Sequence, residues 1–282
     1  MKTILLMLAA AVAVVAVTLL GAEWRWRART RALVGALRQA GRPAEVFSSE
    51  QLVGLPDPVQ RYFRAVLRDG QPLARHARLA QRGSFLINPA ANGWGPFTAT
   101  QDVRVRPAAF VWDARISLVP GIAVRVRDSF VDGTGSMHGA AMALFTVVRM
   151  ENTPDMAAAA LMRFLAEACW VPAALLPGAG VAWTAVDDST ARASLTADGA
   201  SASVDFHFGA DSLVWRITAL RPRSVDGGTV PTPWEGRWTE YGERNGVRIP
   251  VQGEVAWLLR GGPQPYWRGR ITAIEYDGEV RR

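Results

Sequence analysis

The sequence predicts an α+β fold: an N-terminal transmembrane helix, then a large antiparallel meander curled into a barrel or half-barrel, with one inserted apolar helix as its cover. Three observations carry this expectation. Residues 4–22, ILLMLAAAVAVVAVTLLGA, hold no charge. From residue 71 onward apolar and polar residues alternate with a period of two, between turn dipeptides. Within that pattern lies one strongly apolar helical run, TPDMAAAALMRFLAEACWVPAALLP, at 153–177.

The 282 residues, 49% of them hydrophobic, suffice for one large core. The net charge of +7 invites a nucleic-acid reading, but its distribution argues against one. Lys2, Arg25, Arg27, Arg29, Arg31, Arg38 and Arg42 against Glu23 supply +6 of it, which leaves the body nearly neutral. The chain divides into an anchor and juxtamembrane helix at 1–42, a linker with an amphipathic helix at 43–70, and the strand-patterned body at 71–282.

Nineteen uncharged residues at ~1.5 Å each cross most of a bilayer core. Leu20 occupies the position where a cleavage site ending at Ala22 would need a small residue, so the segment reads as an uncleaved, single-pass anchor in contact with lipid through residues 4–22. Lys2 is the chain's one lysine against 31 arginines, a bias of GC-rich bacterial genomes, which makes that membrane a bacterial inner membrane. Trp24 and Trp26, alternating with Arg25, Arg27, Arg29 and Arg31, read as a collar at the headgroup level, and the helix is expected to end at Gly41. The arginines place the body in the cytoplasm by the positive-inside rule, a bias that a long translocated domain can override.

In LPDPVQRYFRAVL (55–67), Asp57 is the expected N-cap, with Pro58 at the first helical position. Val59, Tyr62, Phe63, Val66 and Leu67 then form one apolar stripe. Strands are expected at 78–88, 97–106, 110–118, 122–131, 136–148, 181–186, 191–196, 202–208, 213–220, 236–241, 248–259 and 266–276. Asn92-Gly93, Pro120-Gly121, Asp132-Gly133, Asp198-Gly199, Gly209-Ala210-Asp211, Asp226-Gly227-Gly228, Asn245-Gly246 and Gly261-Gly262 are the turns between them. A meander of about a dozen strands curls or closes, because open twisted sheets of more than ~10 strands tend to do so.

Trp112 and Phe110, with Trp183, Trp215, Trp238 and Trp257, fall about one per strand, most of them on the more apolar face; Phe164 and Trp170 lie on the inserted helix. Together they could line a cavity for a lipid-like ligand or fill a solid core, and small barrels do either. Arg163 and Glu167, four residues apart on the helix's one polar stripe, form an ion pair or meet a ligand head group. His76, His138 and His207 have no partner at metal-ligand spacing, His207 reads as solvent-facing, Cys169 is alone, and GxSxG, Walker A and GxGxxG stretches are absent. No catalytic residue, metal site or cofactor is therefore assigned. Asp113 and Arg115 share a strand face and could form a small ion-pair ladder.

Taken together, LPDPVQRYFRAVL (55–67), PFTATQ (96–101), FVWDARIS (110–117), RFLAEACWVPAALLP (163–177), PWEGRWTEY (233–241), IPVQGEVAW (249–257) and PYWRGRI (265–271) resemble an uncharacterised bacterial family of membrane-anchored proteins, a domain of unknown function with no activity to carry over. The meander with its inserted helix also looks like the half-barrel of LolA-type lipoprotein carriers and LppX-type lipid binders. That likeness implies an apolar ligand or a lipoprotein as partner and a body outside the cytoplasm, against the arginine flank. The expected function is a membrane-anchored, non-enzymatic module holding a hydrophobic ligand under the helix. A filled-core structural or protein-interaction module, and an enzyme using Arg163 and Glu167, are the alternatives.

Overall fold

A computed structural model describes residues 1–38, 45–88, 92–151, 153–225 and 227–277. Helix α1 (Lys2–Arg38) is unbroken. Its expected end at Gly41, and the turn residue Asp226, lie outside the described residues. A short 3₁₀ turn (Ser49–Leu52) and α2 (Asp57–Val66) precede the strands. Pro56 takes the cap position and Asp57 is already helical, a shift of one residue from expectation, because two prolines bracket the first turn. The predicted linker is part of the body: Phe47 and Leu52 are buried with Val59, Tyr62, Phe63 and Val66 of α2 in the main core.

Among the described residues, thirteen strands form one antiparallel sheet: β1 (His76–Asn88), β2 (Gly93–Arg104), β3 (Ala109–Val119), β4 (Ile122–Val131), β5 (Thr134–Ala141), β6 (Phe145–Glu151), β7 (Ala182–Asp187), β8 (Thr190–Ala197), β9 (Ala200–Phe208), β10 (Val214–Val225), β11 (Gly228–Arg244), β12 (Val247–Leu259) and β13 (Gly262–Tyr276). Their order is β6-β5-β4-β3-β2-β1-β13-β12-β11-β10-β9-β8-β7. The first and last strands pair in the middle, and the open edges are the two strands that flank the inserted segment. The sheet is a half-barrel, open where the helix enters.

The expected strand at 136–148 is two strands. A tight turn with Met142 and Ala143 at positive φ separates them, a conformation that these residue types do not advertise. At Asp198-Gly199 and Asn245-Gly246 both turn residues have positive φ, the geometry that Gly and Asn or Asp favour in two-residue hairpins.

The expected helix at 153–177 is α3 (Pro154–Glu167) followed by three 3₁₀ turns at Ala168–Trp170, Pro172–Leu175 and Pro177–Ala179. Thr153 caps α3 by accepting a hydrogen bond from Met156 N–H at 3.1 Å. Pro172 and Pro177 have no N–H to continue the ladder, so the chain folds back into turns. The whole segment lies in the concavity of the sheet, with Leu161, Phe164, Leu165, Trp170, Val171 and Leu175 in the core.

A row of glycines shapes that concavity. Gly83 of β1 pairs with Gly269 of β13, which pairs with Gly253 of β12, which faces Trp238 of β11. A Cβ on Gly253 would run into the Trp238 ring, and one on Gly269 into the Trp267 ring. The indoles lie flat where side chains are missing. Trp170 packs on Trp238 at 5.1 Å and on Trp267 at 6.3 Å between ring centroids, and Phe97 bridges Trp267 to Trp112.

Candidate functional site

Strand β3 separates the two polar seams of the molecule, because its side chains alternate between faces. Phe110, Trp112, Ala114 and Ile116 point inward and are buried, while Val111 and Asp113 point outward to α1.

On the inner side, Arg163 of α3 donates through Nε to Glu167 at 2.8 Å and through Nη1 to Asp128 of β4. Glu167 accepts from Gln101 Nε2 at 2.7 Å, Gln101 from Gln81 at 2.9 Å, and Gln81 from Trp112 Nε1 at 2.9 Å. The guanidinium lies 5.0 Å from the Trp112 ring centroid and 5.1 Å from that of Phe110. Burial works against the charged guanidinium, but Glu167 and Asp128 outweigh it and hold the Arg163 pKa above its ordinary value. The predicted i, i+4 pair is thus present, and Asp128, Gln101 and Gln81 extend it. None of these three stands out in the sequence alone; a polar residue at an inward strand position is the signal that would mark each. The seam joins helix to sheet. Glu167 meets Gln101 and Arg163 rather than a histidine.

The histidines are dispersed. His76 bonds Asp277 and the Leu37 carbonyl, His138 lies against Thr146 and Trp26, and His207 sits between Thr190 and Thr218. Half-buried rather than simply solvent-facing, His207 has its pKa lowered by burial and by Arg216. Burial raises the Cys169 thiol pKa far above the ordinary range, beside an equally buried Tyr62. Among the described residues, His, Cys, Asp and Glu do not gather in threes at metal-binding geometry.

The indoles predicted to line a cavity sit in different surroundings. Trp112, Trp170 and Trp238 are buried in the core, as are Phe110 and Phe164. Trp183 packs on Phe206 and donates to the Leu175 carbonyl at 2.9 Å, and Trp257 stacks on Tyr266 with Arg221 and Arg223 over its ring. Trp215 is displaced outward, 46% exposed: a bulge between Val214 and Arg216 shifts the alternation so that Val214 and Ile217 face inward instead.

The collar is corrected in the same way. Trp24 is exposed, as are Arg25, Arg27, Arg29 and Arg31, but Trp26 is buried against the outer face of the sheet. Its Nε1 donates to Asp113 at 3.0 Å, Thr30 donates to the other oxygen of that carboxylate at 2.9 Å, and Arg127 stacks 4.6 Å from the indole. Asp113 pairs with Arg125 across the strands, not with Arg115. Further along, Arg38 meets Asp102, Arg104 donates to the Ala36 carbonyl, and Leu37 is buried on Ala109 and Val111.

Open space lies where residues 67–75 run beside the 3₁₀ turns. A cleft of about 320 Å³ is lined by Leu73, Ala74, Val105, Ala173, Leu176 and Ala179, with Arg75, Arg106 and Glu45 at its border. A second space, about 920 Å³, shares Leu73, Ala74 and Ala173 and continues to Val171, Val247 and Tyr276. The two make one groove at the end of the half-barrel where β1 starts and β13 stops. No motif marks these small apolar residues in the sequence.

The family model described as "Family of unknown function (DUF6920)" matches residues 53–276, and the chain belongs to that family. No curated protein matches it. Among solved structures, the chain is similar to a LolA superfamily protein from Nitrosomonas europaea, with 8% identity and a TM-score of 0.37 over 79% of this chain and 93% of that one. It is also similar to a β-barrel-like protein of a domain of unknown function (DUF1849) from Brucella abortus, with 10% identity and a TM-score of 0.26 over 72% of this chain and 98% of that one.

Proposed function

Proceeding from membership of a family without a stated activity, we propose that this chain is a single-pass, membrane-anchored binding module, without catalytic chemistry of its own, that holds an acyl chain or similar apolar ligand. The groove between residues 67–75 and the 3₁₀ turns is the observation that supports this reading. Its volume falls within the range of small-molecule sites, its walls are largely aliphatic, and Arg75 and Arg106 stand at its border with Glu45, Arg75 paired with Asp277 and Arg106 with the Gly178 carbonyl, so that a polar head group would lie there. The concave face under α3, the first place to look for a ligand, is filled by Trp170, Trp238, Trp267 and Phe97. The binding site therefore moves to the mouth.

The uncharged run in α1, long and apolar enough to cross a membrane, supports anchoring in a bacterial inner membrane. The arginines after it favour a cytoplasmic body, and a reporter fused to the C-terminus decides the side.

The test is photo-crosslinking of the full chain in mild detergent with diazirine-labelled palmitate. Adducts on peptides carrying Leu73, Ala173 or Leu176, lost in Ala173→Trp, are expected. Adducts confined to residues 4–22 would remove the groove as a ligand site. The filled core favours a second reading, a structural or protein-interaction module, and that is what an empty groove would leave standing.

A further inference from the structure

The last turn of the uncharged helical run lies alongside the body rather than beyond it. Ala22 is buried and Leu19 half-buried, although the most apolar window of α1 is fully exposed. Glu23 lies 3.7 Å from Arg125 of β4. From Arg125 the strand runs three more residues toward its start at Ile122, about 10 Å at ~3.3 Å per residue. The same rise along α1 is about seven residues at ~1.5 Å each, which reaches Ala16 for parallel axes. A diagonal crossing shortens this toward Leu19, where the helix loses contact with the body. Either way the β3–β4 tip sits level with residues of the uncharged run. The β5–β6 turn is beside it, since Met142 N–H donates to the Ala123 carbonyl at 2.8 Å.

These two tips have the composition that such a depth requires. Residues 116–124 and 139–148 contain no Asp, Glu, Lys, Arg or His. Leu118, Val119 and Ile122 are exposed on one hairpin, Phe145 and Val147 on the other, with Val119 at 54%, Phe145 at 64% and Val147 at 59%. Contiguous exposed apolar side chains on a soluble surface mark an interaction site. The β10–β11 hairpin, on the other wing of the sheet, carries Arg221 and Arg223 instead.

We propose that the β3–β4 and β5–β6 tips are a second membrane contact, inserted at the boundary between headgroups and acyl chains beside α1. At that level Phe145 and Val147 reach the acyl chains while the unpaired edge of β6 still meets water and headgroups. The proposal rests on α1 being the anchor and adds that the body lies on the bilayer instead of hanging from it.

The test uses the full chain in nanodiscs of phosphatidylcholine and phosphatidylglycerol. An environment-sensitive fluorophore is placed at Val119→Cys or Phe145→Cys, with the unsubstituted chain, whose one cysteine is buried, as blank. Val12→Cys, read with a nitroxide placed deep on the acyl chain, reports the anchor, and Val53→Cys, 82% exposed just after the 3₁₀ turn at Ser49–Leu52, reports water. Ile122→Cys replaces either tip variant if its circular dichroism departs from that of the unsubstituted chain. Quenching of the tip labels by a shallow nitroxide lipid at least twofold above Val53→Cys, with blue-shifted emission, is the expected result. If Val12→Cys is quenched and the tips match Val53→Cys, the second contact is overturned while the anchor stands. If Val12→Cys is not quenched, the anchor reading fails and the second contact falls with it.

Discussion

Replacing Arg163 by Met would expose how α3 is held in the sheet. The Arg163 side chain is 14% exposed, Glu167 15% and Asp128 3%, so the three charges meet almost out of water. Methionine keeps the aliphatic stem and its packing on Phe110 and Trp112 but strands two carboxylates. Removing one member of a buried charge pair typically costs ~3–5 kcal/mol, because the partner is left uncompensated. Gln101 still donates to Glu167, so a value near the bottom of that range, about 3 kcal/mol, is expected. For a body of this size that corresponds to a fall of roughly 6–12 °C in Tm, at ~2–4 °C per kcal/mol. Glu167→Gln is the contrast: it keeps an acceptor for Arg163 and leaves Asp128 to balance the cation, so its cost is about 1 kcal/mol. Thermal unfolding of the full chain in detergent, followed by near-UV circular dichroism, measures both. An Arg163→Met variant within about 0.5 kcal/mol of the parent, or equal losses in the two variants, would refute the assignment of Arg163 as the tie between helix and sheet.

Two further outcomes follow from packing and protonation. Gly253→Ala is expected to cost ~1–3 kcal/mol, because the added methyl meets the Trp238 ring, and Trp238→Leu in the same chain should return part of that loss in a double-mutant cycle. Burial and the arginines near His207 and His138 lower both folded-state pKa values, so below the unfolded value of ~6.5 the unfolded chain binds more protons than the folded one. Stability therefore falls as the pH drops from about 7 toward 5, and His207→Gln should flatten that slope in denaturant titrations. Asp277 keeps out of this window: burial raises its pKa, but the backbone N–H groups of His76 and Arg75 hold it below the usual carboxylate value, so its contribution is lost only under stronger acid.

Wherever local chemistry decides, the sequence was readable. Alternation located the strands, Thr153 marked the start of α3, and the 163/167 spacing announced an ion pair. It failed where one local pattern serves two environments. Tryptophan alternating with arginine suits a headgroup collar, yet Trp26 is claimed by Asp113, 87 positions away. Met142 and Ala143 carry a turn without turn residues, so two strands read as one. Trp215 follows the alternation of its neighbours until a bulge, invisible in one strand alone, turns it outward. The groove is built of Leu73, Ala74, Val105 and Ala173, ordinary residues from three distant segments, and only folding makes them neighbours.

The unbroken course of α1 through Ala22, Trp26 and Leu37 also limits reach. Modules on flexible tethers sweep a volume and can ferry cargo; a body seamed to its own helix by Asp113, Asp102 and a buried indole keeps one orientation relative to that helix. In the anchored reading the groove is a fixed berth. It lies at the start of β1, a strand of 13 residues and so about 40 Å from that strand's other end, and whatever loads or unloads it must travel to that point.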